Sequence, residues 1–179
     1  MTSDPVAGNL NDLRVVAHPL RLRLLSLLTG ESLSAAEAAR SLGESQANVS
    51  YHLRRLAQAG LVELVQETRV RGGMARRYRH NPLSGEALVA GDAGSTASLL
   101  TALAGQFERR AAQAADAPFV FTDAEVWVSP KAWARIQVLT RELGTLIHDE
   151  AGPPDSGFVH LGATLAVFPL RASGDTVTP

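Results

Sequence analysis

Cysteine is absent from the 179 residues, which excludes disulfides, thiolate metal ligation and thiol redox switching. No apolar run reaches membrane-spanning length. Met1 to Leu10 has neither a basic start nor an apolar centre, so nothing predicts export, and a cytoplasmic, nucleoid-associated location with no membrane contact is expected. Enzyme signatures are missing as well. There is no glycine-rich phosphate loop and no nucleophile elbow. Asp123, Glu125, His148, Asp149 and Glu150 fall at turns and at a polar helix end without a second set of catalytic partners, so no catalytic residue is assigned. His18, His52, His80, His148 and His160 form no pair at ligand spacing on one helix, and no metal or other cofactor is expected.

What is present is a chain with 45% hydrophobic residues, enough for one large or two small cores. Its net charge of −1 hides an asymmetry. Residues 1–82 hold 11 Lys and Arg against 7 Asp and Glu, and residues 83–179 hold 6 against 11. Seven arginines lie between Arg54 and Arg79, with only Glu63 and Glu67 among them. Such a local excess attracts a polyanion even in a mildly acidic protein.

Within that basic half, Ser45 to Gly60 has the pattern of an amphipathic helix. Ala47, Val49, Leu53, Leu56 and Ala57 recur at three- and four-residue spacing, with Ser45 as N-cap and Gly60 as end signal. The other faces carry Gln46, Asn48, Ser50 and Tyr51 near the start and Arg54 and Arg55 further on. Short polar side chains suit base edges and arginines suit phosphates, so this is the layout of a DNA-reading helix. Upstream, Ser34 to Leu42 reads as a short helix with Ser34 and Glu37 as a capping box. Gly43-Glu44 then reverses the chain, giving helix, tight turn, helix. Pro19 starts an earlier helix whose leucines lie on two sides, as in a scaffold helix buried between layers. Leu61–Val70 and Arg76–His80 are strand candidates around Arg71-Gly72-Gly73, an arginine-rich hairpin able to reach a minor groove.

These segments together, from His18-Pro19-Leu20-Arg21-Leu22-Arg23-Leu24-Leu25 through Ser34–Leu42 and Ser45–Val62 to the Arg/Gly hairpin, resemble the arsenical-resistance-repressor (ArsR-like) winged-helix regulators over roughly residues 10–82. The resemblance implies a dimeric DNA-binding transcriptional regulator, with Gln46, Ser50 and Tyr51 at positions that touch DNA. The family's thiolate metal sensing does not carry over to a chain without cysteine.

Beyond residue 82 the pattern changes. Residues 83–97 carry three glycines and read as a linker. A helix is expected from about Thr96 to Ala115, with Leu99, Leu103, Phe107 and Ala114 in an apolar stripe. That stripe fits either a dimer seam or ordinary packing within one chain. Phe119 to Val128 suggests extended structure, Ser129-Pro130 starts a helix running to about Glu150, and Val159, Leu161, Ala163, Leu165 and Val167 alternate as in a half-buried strand. The aromatics of this half suit core packing or a pocket for a small-molecule effector of unspecified chemistry.

The sequence therefore predicts an α+β protein: a winged helix-turn-helix domain at 8–82, a linker and dimerisation helix at 83–116, a strand-helix-strand module at 117–170 and a disordered tail at 171–179. The expected function is sequence-specific binding of double-stranded DNA as a homodimeric repressor on an inverted-repeat operator. Base contacts are assigned to Gln46, Asn48, Ser50 and Tyr51, backbone or minor-groove contacts to Arg54, Arg55, Arg71, Arg76 and Arg77, and dimerisation to Leu99, Leu103, Phe107 and Ala114. The alternative is a winged-helix protein-interaction module without sequence readout.

Overall fold

Leu24, Leu28, Val49, Leu53 and Leu56 are shielded from solvent, and the helices that carry them cross over one another to form the core. The computed structural model describes residues 12–70, 73–81, 84, 93–152, 157 and 159–170. Leu10, Arg71, most of the linker and the 171–179 tail lie outside the described residues.

Chain order is α1 (Asp12–Val16), α2 (Pro19–Gly30), β1 (Leu33–Ser34), α3 (Ala35–Leu42), α4 (Gln46–Gln58), β2 (Val62–Val70), β3 (Gly73–His80), α5 (Ala93–Ala111) and α6 (Pro130–Asp149). Each boundary in the helix-turn-helix has a local cause. His18 caps α2 by accepting from the Leu20 amide, and Pro19 occupies the first turn. Ser34 and Glu37 close a reciprocal capping box on α3. Gly43 then takes a left-handed φ of 68°, which a side chain disfavours, and lets α4 start in a new direction. The Ser45 hydroxyl accepts from the Asn48 amide, and Gly60 ends α4 with φ 71°.

The wing is a three-stranded antiparallel sheet in the order β1-β3-β2. Tyr78 is buried at its centre, opposite Leu33 on one side and Leu64 on the other. β1 is a two-residue strand that the sequence pattern did not reveal, because Ser34 reads first as a cap. Pairing shifts by one residue between Leu64 and Gln66, a bulge at Val65 that bends β2. Pairing then continues to Val70 and Gly73, so the hairpin is longer than the Arg76–His80 strand expected.

The core joins Val15 and Val16 of α1, four leucines of α2, Ala38 and Ala39 of α3, the apolar face of α4 and Leu61, Val62 and Tyr78 of the wing. α5 packs on α1 and α2, with Leu99 against that core. Two polar side chains fix its seat. Ser95 is buried and accepts from Arg14 at 3.1 Å, and buried Gln106 donates to the Pro19 carbonyl at 3.0 Å.

The C-terminal module differs from expectation. α6 is present, with Ser129 capping the Ala132 amide, but residues 117–128 and 159–170 belong to no strand. The strand-helix-strand reading is corrected to a helix flanked by two extended segments. Alternation selects an extended backbone, but a ladder also needs a partner strand, and neither segment has one among the described residues. No residue of α6 is buried.

One contact ties α6 to the winged domain. His148 Nδ1 lies 2.7 Å from the Gly144 carbonyl, which only accepts, so Nδ1 carries a proton, and Nε2 shares a hydrogen bond with His80 Nδ1 at 3.1 Å. The same His80 nitrogen faces the Thr29 hydroxyl oxygen at 3.1 Å, and that hydroxyl donates to the Leu25 carbonyl. Burial, and then the neighbouring His148, push His80 down to about 4 from 6.5. A folded value below the unfolded one means that His80 contributes stability above pH 6.5, lost as pH falls through 4. Urea titrations at pH 7.5 and 4.5 should therefore show a loss of about 2–3 kcal/mol in the native chain that His80→Gln largely removes. An equal loss in both would put the acid sensitivity elsewhere.

Candidate nucleic-acid interface

α4 divides its faces sharply. Val49, His52, Leu53 and Leu56 are buried, while Gln46, Ala47, Asn48, Tyr51, Arg54 and Arg55 are exposed and Ser50 is half-buried. A helix packed on one side and polar on the other is held rigidly while its outer face stays free. Gln46, Asn48, Ser50 and Tyr51 thus project from the first half of one helix. Asn48 also donates to Glu44 at 3.2 Å, which orients its amide.

Tyr51 and His52 take opposite roles. Tyr51 is 51% exposed, whereas His52 is buried with its ring 4.6 Å from that of His18 and edge-on to Tyr51 at 5.1 Å. Burial, then the charges of His18 and Arg21, hold His52 below its ordinary value, and its ring packs edge-on to Tyr51. Arg21 is half-buried below this group and is itself lowered by burial and by Arg55. The second half of the α4 surface, at Arg54 and Arg55, is therefore positive, while Glu44 stands beside its start.

The arginines separate into two kinds. Arg54 and Arg55 are exposed and make no ion pair among the described residues. Arg76 is exposed but pairs with Glu67, its register partner across the hairpin, at 2.7 Å. A solvated pair of this kind is weak and exchanges readily for a phosphate. Arg77 is different. Its guanidinium donates to Glu37 at 2.8 Å and to the Ser32 carbonyl at 2.6 Å, and it sits half-buried between wing and α3. In the single chain Arg77, expected at DNA, braces the helix-turn-helix against the sheet. Glu37 receives the Ser34 amide and hydroxyl as well as Arg77, which together hold its carboxyl at about 2. Sequence reasoning counted Arg77 with its neighbours because strand alternation was not applied to the wing. Arg76 and Arg77 are adjacent, so one must face the other way.

The proposed dimer stripe is also divided. Leu99 is turned onto the core and Leu103 is half-buried, whereas Phe107 is exposed and Ala114 lies beyond the end of α5. The face of α5 that meets its own chain is marked by Ser95, Gln106 and Arg110, polar residues that a search for apolar spacing passes over. Among the described residues no group of three or more His, Asp or Glu is placed to hold a metal. A shallow depression between Val138, Arg141, Thr145 and Asp149 is formed by α6 alone. No helix among the described residues is long and apolar enough to cross a membrane.

Comparison with known proteins agrees with the geometry. Residues 16–65 match the helix-turn-helix domain family, a span from the end of α1 into β2. A solved structure described as a possible transcriptional regulator for arsenical resistance is 29% identical over 59% of this chain and 98% of its own, with a TM-score of 0.37. The M. tuberculosis protein Rv0081 is 26% identical over 57% of this chain and 87% of its own, with a TM-score of 0.35. No curated protein matches the chain. Residues 16–65 thus hold a helix-turn-helix domain, and the β1-β3-β2 sheet beside it completes a winged helix-turn-helix.

The two kinds of arginine predict opposite phenotypes. Arg54→Ala should leave the urea midpoint within error and lower the slope of log K against log salt by about one unit. Arg77→Ala should lower the unfolding free energy by about 1–3 kcal/mol, through the lost bonds to Glu37 and the Ser32 carbonyl, and leave the slope unchanged. The reverse pattern would return Arg77 to the interface.

Proposed function

We propose that this chain, whose winged helix-turn-helix domain is ArsR-like, is a sequence-specific DNA-binding transcriptional regulator that represses as a homodimer on an inverted-repeat operator. The observation that carries the reading is the outer face of α4. Gln46, Asn48, Ser50 and Tyr51 form a polar surface narrow enough for a major groove, and Arg54 and Arg55 follow without acidic partners. Gln and Asn present a donor and an acceptor side by side, the pair that matches the N6 and N7 edge of adenine. Ser50 and the Tyr51 hydroxyl suit a base edge or a phosphate oxygen. The arginines suit the flanking backbone, and Arg76, with Arg71 beyond the described residues, suits the neighbouring groove as the wing approaches it.

A homodimer follows from the geometry of duplex DNA. One recognition helix reads only a few base pairs, and high affinity for an inverted repeat needs two, set about one helical turn apart. α5 carries Phe107 on its free side, 63% exposed, and supplies part of the surface such a dimer needs. Repression is the role that the resemblance to ArsR-like regulators implies. It requires only that the occupied operator exclude other proteins from the same duplex.

Duplexes selected from a random pool by the purified protein test the reading. The protein should discriminate selected from random duplexes. Gln46→Ala should change the preferred base at one position in each half-site, at a cost of about 1–3 kcal/mol on the selected sequence, and Ser50→Ala should cost less. Equal losses on selected and random duplexes would mean that α4 only positions the protein. Failure of the native chain to discriminate at any salt concentration would favour a protein-interaction module.

A further inference from the structure

The large apolar side chains left exposed are unevenly placed. Among the described residues, only Tyr51, Leu64, Val65 and Met74 belong to the winged half, and all the others follow residue 106. Phe119, Phe121 and Trp127 are 80, 76 and 92% exposed. At roughly 150–250 Å² for an aromatic side chain, these three alone offer about 400–600 Å². That is more than half of the ~800 Å² that each partner buries in a standard interface. Val159, Leu161 and Val167 add to it from the second extended segment.

That second segment is held in place. Arg110 of α5 donates to the Ala163 carbonyl at 2.6 Å and to the Thr164 hydroxyl at 2.7 Å, and reaches Ser26 of α2 at 3.4 Å. Its guanidinium is half-buried and its side chain lies against Gly162, 3.8 Å from where a Cβ would stand. The segment is thus clamped at its middle onto the winged domain while its apolar flanks face solvent. Residues 159–170 contain no Asp, Glu, Lys or Arg. Exposed strand edges in stable proteins carry charges that discourage pairing, and this one carries none, as expected of a strand that is covered.

We propose that the extended segments 119–128 and 159–170 are strands of a sheet formed between two copies of this chain. This rests on the homodimer of the proposed function and adds the surface that joins its halves. Strand number selects the occupant. Independent stability of a sheet requires three or more strands. One chain supplies two, which lie unpaired in the single chain, and two copies related by a twofold axis supply four. A twofold contact is self-complementary, so the strand edges of one copy meet an identical set in the other. α6 links the two strands of each copy, and its exposed Leu139 and Leu143 then pack on one face of the shared sheet. Arg110 holds that sheet to both winged domains.

Amide hydrogen exchange over a protein dilution series tests this on the full chain, with light scattering read at each concentration. Amides of 119–128 and 159–170 should be protected where the mass is that of a dimer, and should lose protection at least a hundredfold on dilution to monomer, while α2 and α4 keep theirs. Trp127→Asp should shift the mass towards monomer at concentrations where the native chain is dimeric, with the winged domain's exchange unchanged. A dimer whose two segments exchange freely would overturn the shared sheet and leave the homodimer standing. Segments protected equally at every concentration would mean pairing within one chain, and would overturn it too. A monomer throughout would overturn both the sheet and the homodimer, without touching the DNA contacts of α4.

Discussion

Burial of one face of α4 is the constraint on which the rest depends. Val49, Leu53 and Leu56 are fully enclosed among the α2 leucines, Leu61 and Ala38, and a helix locked there cannot rotate. Because successive positions turn by a fixed angle, the same packing settles where Gln46, Asn48, Tyr51 and Arg54 project. Large-to-small changes at such sites typically cost 2–5 kcal/mol, so the outer polar surface is presented by the most stable part of the molecule. The Ser34–Glu37 capping box and the Arg77 brace serve the same end, since they fix α3 and the wing to the frame against which α4 leans.

Sequence and structure agree most closely where local chemistry decides the conformation. Pro19, Ser34 with Glu37, Gly43, Ser45 and Pro130 each announce a helix boundary by a hydrogen bond or a backbone angle specific to the residue. All of them lie within one residue of where the pattern puts them. Agreement weakens where long-range partners decide. β1 is two residues long and exists because β3 lies beside it. Arg77 looks like any wing arginine until Glu37, forty residues earlier, is brought within 2.8 Å. The meeting of His80 with His148 joins positions 68 apart, and no spacing rule links them. In the second half, alternation suggested a strand at 159–167, but nothing local names a strand's partner, and residues 159–170 belong to no strand.

The chain divides its two tasks unequally. The basic half has a closed core and a polar, arginine-bearing outer face, whereas the acidic half is held to it by α5, Arg110 and the His80–His148 contact and leaves its large apolar side chains outside. A regulator benefits from that separation. On the proposed reading, affinity for one half-site would reside in the first half and the spacing between half-sites in the surface that joins two copies, and the acidic charge of the second half would leave the positive α4 face as the part drawn to DNA.

The central claim is that α4 enters the major groove twice on one operator. Methylation interference at guanine N7 on a selected duplex reads that groove directly. The account predicts two clusters of interfering guanines, about one helical turn apart and related by the symmetry of the site. A duplex that binds equally well when every guanine N7 is methylated would contradict it.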